Sequence, residues 1–207
     1  PVAIAEIGGA RAAADFVDLA AYSPELVAAL LFTPAGTLGF AAGFFMLEDR
    51  EQGVLQALRA TPLTGRGYLA YRGLVFLALA IASTLVMVPL VDLATLPPVP
   101  FVLISVVAAL HTAIAGLLMA SLAANTVEGV AVSKLLGFLI IGPVAAIALV
   151  DGPIQFVAGV FPPCWASKAT VDLLNGTGSV YPLLAIGAAY QLLLIGGLLR
   201  LFLVRSD

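Results

Sequence analysis

The sequence EDREQGVLQALRATPLTGRGYLAYR, residues 48–72, lies between two long apolar runs and decides the fold of the chain. The chain has nine basic and twelve acidic residues, and this stretch alone holds seven of those 21, four of them arginines. Loops rich in Lys and Arg lie on the cytoplasmic side of membrane proteins. Residues 48–69 are therefore predicted to form a cytoplasmic loop between two membrane-spanning helices.

The composition excludes a soluble protein. Of the 207 residues, 62% are hydrophobic and only 10% are charged, and the mean hydropathy is +1.13. A soluble domain would carry about 25% charged residues, so the lipid bilayer is the predicted surrounding. The nine basic residues form no stripe, which argues against nucleic-acid binding. The single histidine, His111, lies far from the single cysteine, Cys164, so no metal site is predicted.

Five stretches approach the ~20 apolar residues that a helix needs to cross a bilayer. They are residues 26–47, 70–91, 101–124, 132–150 and 180–204. Gly142-Pro143 interrupts the fourth stretch and predicts a kink or a break there. The predicted fold class is an all-α, polytopic transmembrane helix bundle with five spans present.

The distribution of Lys and Arg predicts which side of the membrane each loop occupies. Seven basic residues fall on one side, namely Arg50, Arg59, Arg66, Arg72, Lys134, Arg200 and Arg205. Only Arg11 and Lys168 fall on the other. The C-terminus is therefore predicted to be cytoplasmic in a multi-pass protein of the inner or plasma membrane, with residues 1–25 extracytoplasmic. An extracytoplasmic start followed by five spans predicts a sixth span before Pro1.

Residues 151–179, predicted to lie outside the cell, are more apolar than a plain linker. Pro162-Pro163 divides the segment, and Trp165 and Leu173 then recur at helical spacing. We predict two short re-entrant or interfacial helices here, with Trp165 at the level of the lipid headgroups. A capping loop with apolar anchors is the alternative.

Small residues recur every four positions in two of the predicted spans. They are Ala35, Gly39 and Gly43 in the first, and Thr112, Gly116, Ala120 and Ala124 in the third. Helices in lipid associate through such faces because small side chains let two backbones approach closely. The pattern predicts contacts between helices or between subunits.

The loop between the first two spans contains a short amphipathic helix. Val54, Leu55 and Leu58 fall on its apolar side, whereas glutamines and Arg59 fall on another. Thr61-Pro62 is predicted to end it, because a residue before proline avoids the helical conformation. Such a helix either rests on the membrane surface or docks on a soluble partner.

A family resemblance rests on residues 48–72. They contain an acidic cluster, Gly-Val-Leu, a short helix, Thr-Pro-Leu and a tyrosine-rich start of the next span, and Phe161-Pro-Pro-Cys-Trp165 follows later. These features resemble the membrane permeases of type-2 ATP-binding cassette (ABC) exporters, among them actinobacterial drug exporters of the fluoroquinolone type. The resemblance implies the ABC type-2 permease fold of six spans, the first of which is absent from these residues.

The resemblance implies a function in export. The chain would be the membrane-spanning subunit, paired with a second permease as a homodimer or heterodimer, and driven by a separate ABC ATPase subunit. ATP and Mg would bind to that ATPase, since these 207 residues contain no Gly-x-x-x-x-Gly-Lys-Ser/Thr phosphate loop. The chain itself is therefore predicted not to be an enzyme, to have no catalytic residue and to bind no cofactor.

The resemblance also implies that the ATPase binds the first cytoplasmic loop and passes its motion to the spans. The coupling residues that it implies are Glu48, Asp49, Arg50, Glu51, Gln52, Gly53, Val54, Leu55, Leu58, Arg59, Thr61 and Pro62.

Weakly polar residues within the spans are candidates for a substrate path. They are Thr33, Thr37, Ser83, Thr84, His111 and Thr112. For the hydroxyls, hydrogen bonds to carbonyls of their own helices are the favoured interpretation, and for His111 a structural role is favoured. No charged residue lies deep in a span, which predicts an amphipathic or hydrophobic substrate, drug-like or lipid-like, and argues against proton coupling.

Two other function classes remain open on sequence grounds. A non-transporting membrane anchor or assembly protein would use the loop helix equally well. An intramembrane enzyme would need a Ser/His pair or paired aspartates inside the lipid, and the sequence supports neither arrangement.

Overall fold

The computed structural model describes residues 24–58, 60, 65–90, 97–149 and 153–206, and its elements are all helical. They are α1 (Pro24–Glu51), α2 (Val54–Leu58), α3 (Gly65–Leu90), α4 (Pro98–Leu122), α5 (Thr126–Leu149), a 3₁₀ helix (Pro153–Val160), α6 (Pro163–Leu174) and α7 (Val180–Ser206). The prediction of an all-α fold is confirmed.

Four helices among the described residues are long and apolar enough to cross a membrane: α1, α3, α4 and α7. Their apolar parts run for 21 to 28 residues, which at about 1.5 Å per residue covers a hydrocarbon core of about 30 Å. The fourth predicted span lies within α5, of which several side chains lie outside the described residues. Five spans therefore stay a prediction, as do the segment 1–25 and the sixth span before it.

The helices extend further than the hydropathy of the sequence indicated. α1 continues through the charged residues 48–51, which were predicted to lie in the loop, and α5 begins at Thr126, so that Lys134 lies within a helix. Of the kink or break predicted at Gly142-Pro143, the break is wrong, because α5 is continuous from Thr126 to Leu149, and the kink stays a prediction. Neighbouring helices let a membrane helix accommodate a proline, and α1 likewise contains Pro34.

α4 is the central helix and is buried along most of its length. Its small-residue face packs on that of α1, as the spacing of four predicted. A Cβ atom on Gly39 would lie 2.7 Å from the Cβ of Ala115 and 2.9 Å from the carbonyl oxygen of Thr112. The hydroxyl of Thr112 donates a hydrogen bond to the carbonyl oxygen of Ala35 at 2.8 Å. The two backbones are thus in direct contact.

α1, α4 and α7 begin at the same end of the bundle, which α6 covers and which we call the α6 end. There, residues of α6 share an apolar cluster with Phe32 of α1 and Val107 of α4. Trp165 of α6 packs against Gly187 of α7 and donates its indole N–H to the carbonyl oxygen of Gly159 at 2.9 Å. Trp165 therefore ties α6 to its neighbours.

Candidate coupling site at the charged end of the bundle

The opposite end of the bundle is organised by the last turn of α1. Asp49, Arg50 and Glu51 are consecutive there, and successive helical residues point about 100° apart. Each side chain therefore reaches a different neighbour. We call these three residues the charged clamp.

Asp49 connects α1 to α3. Its Oδ2 atom accepts a hydrogen bond from Arg72 at 2.5 Å and another from the hydroxyl of Tyr68. The guanidinium of Arg72 also lies 5.4 Å from the ring centre of Phe45 and 5.8 Å from that of Tyr68. Both charged side chains are mostly shielded, with 13% of Asp49 and 26% of Arg72 exposed. Charge-assisted bonds of this kind are stronger than neutral ones.

Arg50 connects α1 to α4 and α7. It donates hydrogen bonds to the carbonyl oxygens of Ala120 at 2.9 Å and Ala123 at 3.2 Å. These carbonyls lie at the C-terminal end of α4, where backbone oxygens lack partners within the helix and the dipole attracts a cation. The guanidinium also lies 5.5 Å from the ring centre of Phe202 in α7.

Glu51 connects α1 to α5. Its carboxylate accepts hydrogen bonds from the backbone N–H of Thr126 at 2.7 Å and from the hydroxyl of Thr126 at 3.2 Å. A carboxylate at a helix N-terminus is stabilised by the free N–H groups and by the dipole. The clamp thus joins the end of α1 to four helices, α3, α4, α5 and α7.

The turn that follows the clamp leads directly into α2. Gly53 has a φ of +71°, a conformation that glycine adopts without steric cost. Leu58 of α2 is half-buried and packs on a cluster that includes Tyr68 and Phe202. Gln56 and Ala57 are left as exposed residues of α2. A soluble partner touching α2 would therefore be two residues away from the clamp.

A cavity of about 370 Å³ adjoins the clamp. Its lining residues are Arg50, Ala120, Ser121, Leu122, Ala123, Ala124 and Phe202. It lies where the ends of α1, α4 and α7 meet, so relative movement of these helices would change its shape.

The structure divides the predicted coupling residues into two groups. Glu48 and Gln52 are exposed and hydrogen-bond each other at 3.0 Å, whereas the clamp residues turn toward other helices of the same chain. Leu58 was expected to lie in the groove of a partner, and here it packs on its own bundle. Val54 is half-buried. The side chains of Leu55 and Arg59, and residues Thr61 and Pro62, lie outside the described part of the chain.

The predicted path residues do not form one surface. Thr33 and Thr37 are exposed on α1, and Thr84 is buried on α3; each donates to a carbonyl of its own helix, as the sequence interpretation favoured. Ser83 is half-buried. Thr112 faces α1 instead, through its bond to Ala35.

His111 lies inside the bundle with 6% of its surface exposed. Neither ring nitrogen has a hydrogen-bond partner among the described residues. Gln191 of α7 is fully buried and donates to the carbonyl oxygen of Val107 of α4 at 3.1 Å. The sequence reasoning missed Gln191, although an amide alone within an apolar span was a visible signal.

No group of three or more metal-ligating side chains occurs within the described ranges. The charged clamp is the main polar site of the described residues.

Comparison with known proteins identifies the family. The family model described as "Fluoroquinolones export permease protein Rv2686c-like" matches residues 5–199. Two relatives from Mycobacterium tuberculosis are each 30% identical over 159 residues: Fluoroquinolones export permease protein Rv2686c of strain ATCC 25618 / H37Rv, and Fluoroquinolones export permease protein MT2760 of strain CDC 1551 / Oshkosh.

Each match covers 73% of this chain and 61% of the relative, so the chain spans about three fifths of the length of these proteins. No solved structure matches the chain. The family match covers nearly all of the helical bundle described above, including the clamp. This multi-pass membrane protein belongs to the Rv2686c-like family of export permeases.

Proposed function

We propose that the chain is the membrane-spanning subunit of an ATP-driven exporter, and that a separate ABC ATPase subunit docks at the charged end of the bundle. Family membership supports a role in export. The observation that supports docking of an ATPase subunit is the charged clamp. One helical turn, followed at once by an exposed short helix, binds four other helices.

The proposed docking surface consists of exposed residues on either side of the turn. These are Glu48 and Gln52 before it, and Gln56 and Ala57 on α2. Because α2 follows the clamp after only two residues, a displacement of α2 moves the end of α1. The hydrogen bonds of Asp49, Arg50 and Glu51 then pass that displacement to α3, α4 and α5, and the contact of Arg50 with the Phe202 ring passes it to α7.

The proposed orientation puts this surface in the cytoplasm, together with the C-terminus. A second permease subunit, identical or different, completes the translocation path. The proposed substrate is an amphipathic organic compound of the fluoroquinolone type, for which the relatives are named. The central helix α4 carries no charged residue along its 25 positions, which suits such a compound better than an inorganic ion.

Co-purification tests the proposed docking surface. The wild-type protein is expected to co-purify with an ATPase subunit and to stimulate its ATP turnover in lipid vesicles. Ala57→Trp, on the exposed side of α2, should lower both by at least about tenfold, because a bulky side chain keeps two rigid surfaces apart. Ala78→Trp, on an exposed part of α3, is the matched control and should change neither.

Two results would contradict the proposal. One is a wild-type protein that retains no ATPase through purification. The other is an Ala57→Trp variant that binds and stimulates the ATPase as well as wild type does, which would place docking elsewhere.

A further inference from the structure

Among the described residues, two buried polar side chains in the middle of the bundle have polar atoms without a hydrogen-bond partner. His111 of α4 is 6% exposed and Gln191 of α7 is fully buried. Both ring nitrogens of His111 and the amide oxygen of Gln191 have no partner among the described residues. Buried polar groups in native proteins are nearly always paired, so each such exception needs an explanation.

The two residues each lie about one turn beyond a contact between α4 and α7. α4 and α7 run parallel, and Gly187 of α7 lies against the Val107 side chain of α4, 3.6 Å from where its Cβ would stand. His111 and Gln191 each follow four residues later on their own helices, which is about one turn. The hydrogen bond from Gln191 to the carbonyl oxygen of Val107 fixes this register.

Packing alone does not explain these residues. Gly187 and Trp165 already hold α7 close to its neighbours at the adjacent turn. An apolar side chain in place of His111 would remove two unpaired ring nitrogens and would be expected to stabilise the bundle, whereas at Gln191 it would remove the unpaired amide oxygen together with the bond to Val107. The polar atoms therefore lower stability in this conformation, a cost that is typical of functional sites.

We propose that His111 and Gln191 bind a neutral hydrogen-bonding group of the exported compound as it passes between α4 and α7; this rests on the proposed export function. A neutral imidazole offers one N–H donor and one nitrogen acceptor, and the amide oxygen of Gln191 offers a second acceptor. The exported compound should therefore present a group with both a hydrogen-bond donor and an acceptor, such as a hydroxyl, an amide or a protonated carboxyl.

The site is closed in this structure, so binding requires α7 to move away from α4. α7 is suited to that movement, because far fewer of its residues are buried than those of α4. Its far end carries Phe202, which contacts Arg50 of the clamp. A displacement of the charged clamp would therefore move α7, the helix that must shift to open the site.

The tryptophan beside the site supplies a direct binding assay. Trp165 packs against Gly187, one turn before Gln191, and is the single tryptophan of these 207 residues. The full-length protein in lipid nanodiscs, without any ATPase, is titrated with ciprofloxacin, a fluoroquinolone, while tryptophan emission is recorded. A Trp165→Phe variant gives the background. The wild-type protein should show saturable quenching.

Removing either polar side chain should weaken binding without harming the fold. Gln191→Leu and His111→Leu should each raise the dissociation constant about tenfold, as expected for one lost hydrogen bond. The melting temperature of His111→Leu should be equal to that of wild type or higher, and that of Gln191→Leu should stay close to that of wild type, because loss of the bond to Val107 is offset by loss of the unpaired amide oxygen. If Gln191→Leu does not fold, Gln191→Met, which is closer in shape to glutamine, is used in the same binding assay.

The matched control is Ser105→Ala in the same helix. The hydroxyl of Ser105 is buried but donates to the carbonyl oxygen of Phe101 at 3.0 Å, so its loss should leave ciprofloxacin binding unchanged. Equal affinity in wild type and Gln191→Met, or no saturable quenching in wild type, would overturn the proposed site. Because no ATPase is present, failure of the proposed ATPase partnership would not affect this result.

Discussion

Asp49 accepts hydrogen bonds from two residues of α3 through one carboxylate oxygen. Asp49→Asn removes the charge that both Arg72 and Tyr68 bind, and leaves the guanidinium of Arg72 partly shielded without a counter-ion. We expect it to lower the free energy of unfolding by about 1–3 kcal/mol. Tyr68→Phe removes one hydroxyl and should lower the free energy of unfolding by about 1 kcal/mol.

Denaturant unfolding of the purified protein in micelles measures both changes. Because the two side chains share one acceptor, the double variant should cost less than the sum of the single variants. An Asp49→Asn variant as stable as wild type would show that the link between α1 and α3 contributes nothing.

Cys164 lies in α6 with 4% of its surface exposed. Burial raises the pKa of its thiol to about 11, against the opposing effect of the nearby Lys168 charge. Because the thiolate is the reactive form, a maleimide should label Cys164 slowly near neutral pH and faster as the pH rises toward 11. A cysteine at the exposed position Thr177, in a Cys164→Ser background, should react fast at neutral pH. Equal rates for the two thiols near neutral pH would contradict the burial of Cys164.

At the scale of elements, the contact between α1 and α4 was predictable and the clamp was not. The spacing of four between Ala35, Gly39 and Gly43 identifies a packing face because helical geometry alone brings these residues together. Arg50, in contrast, binds carbonyls 70 and 73 positions away in sequence, and Glu51 binds a residue 75 positions away. Periodicity within one helix contains no information on such partners.

Two further differences between the sequence-based predictions and the structure have local causes. The charged residues 48–51 were assigned to a loop because their side chains avoid lipid, yet their backbone stays helical, and residues 49–51 bind partners on other helices. The break expected at Gly142-Pro143 does not occur, since the loss of one backbone donor does not end a membrane helix.

The close approach of α1 and α4 predicts an asymmetric response to added methyl groups. In Gly39→Ala the new Cβ would meet the Ala115 Cβ at 2.7 Å and the backbone at Thr112, neither of which can yield easily. We expect a loss of about 1–3 kcal/mol in the free energy of unfolding. Gly73→Ala in α3, where no atom lies within 4 Å, should be neutral or gain about 0.5–1 kcal/mol. Equal effects at the two positions, measured by thermal unfolding, would contradict the packing of α1 on α4.

At the scale of the whole molecule, the proposed orientation sets the α6 end outside the cell and the charged end inside. Thr177 and Gln56 are exposed at these two ends. In intact cells carrying Cys164→Ser, a membrane-impermeant maleimide should label Thr177→Cys but not Gln56→Cys, and both should react after permeabilisation. Labelling of Gln56→Cys alone would reverse the orientation and remove α2 from any cytoplasmic ATPase.

One helical turn of α1 contacts four other helices, and we predict that it transmits movement of α2 to them. Arg50→Met tests it most directly, because methionine keeps an apolar stem of similar width but removes every hydrogen bond to the end of α4 and the charge over Phe202. Leu30→Met, on an exposed face of α1, is the matched control.

Export of ciprofloxacin per ATP hydrolysed, measured in proteoliposomes that contain the co-purified ATPase, is the decisive quantity. We predict that Arg50→Met still binds the ATPase and supports ATP hydrolysis, but exports at least about tenfold less compound per ATP, in line with the loss of charge-assisted hydrogen bonds. Export per ATP equal to that of wild type and of Leu30→Met would contradict transmission through the clamp.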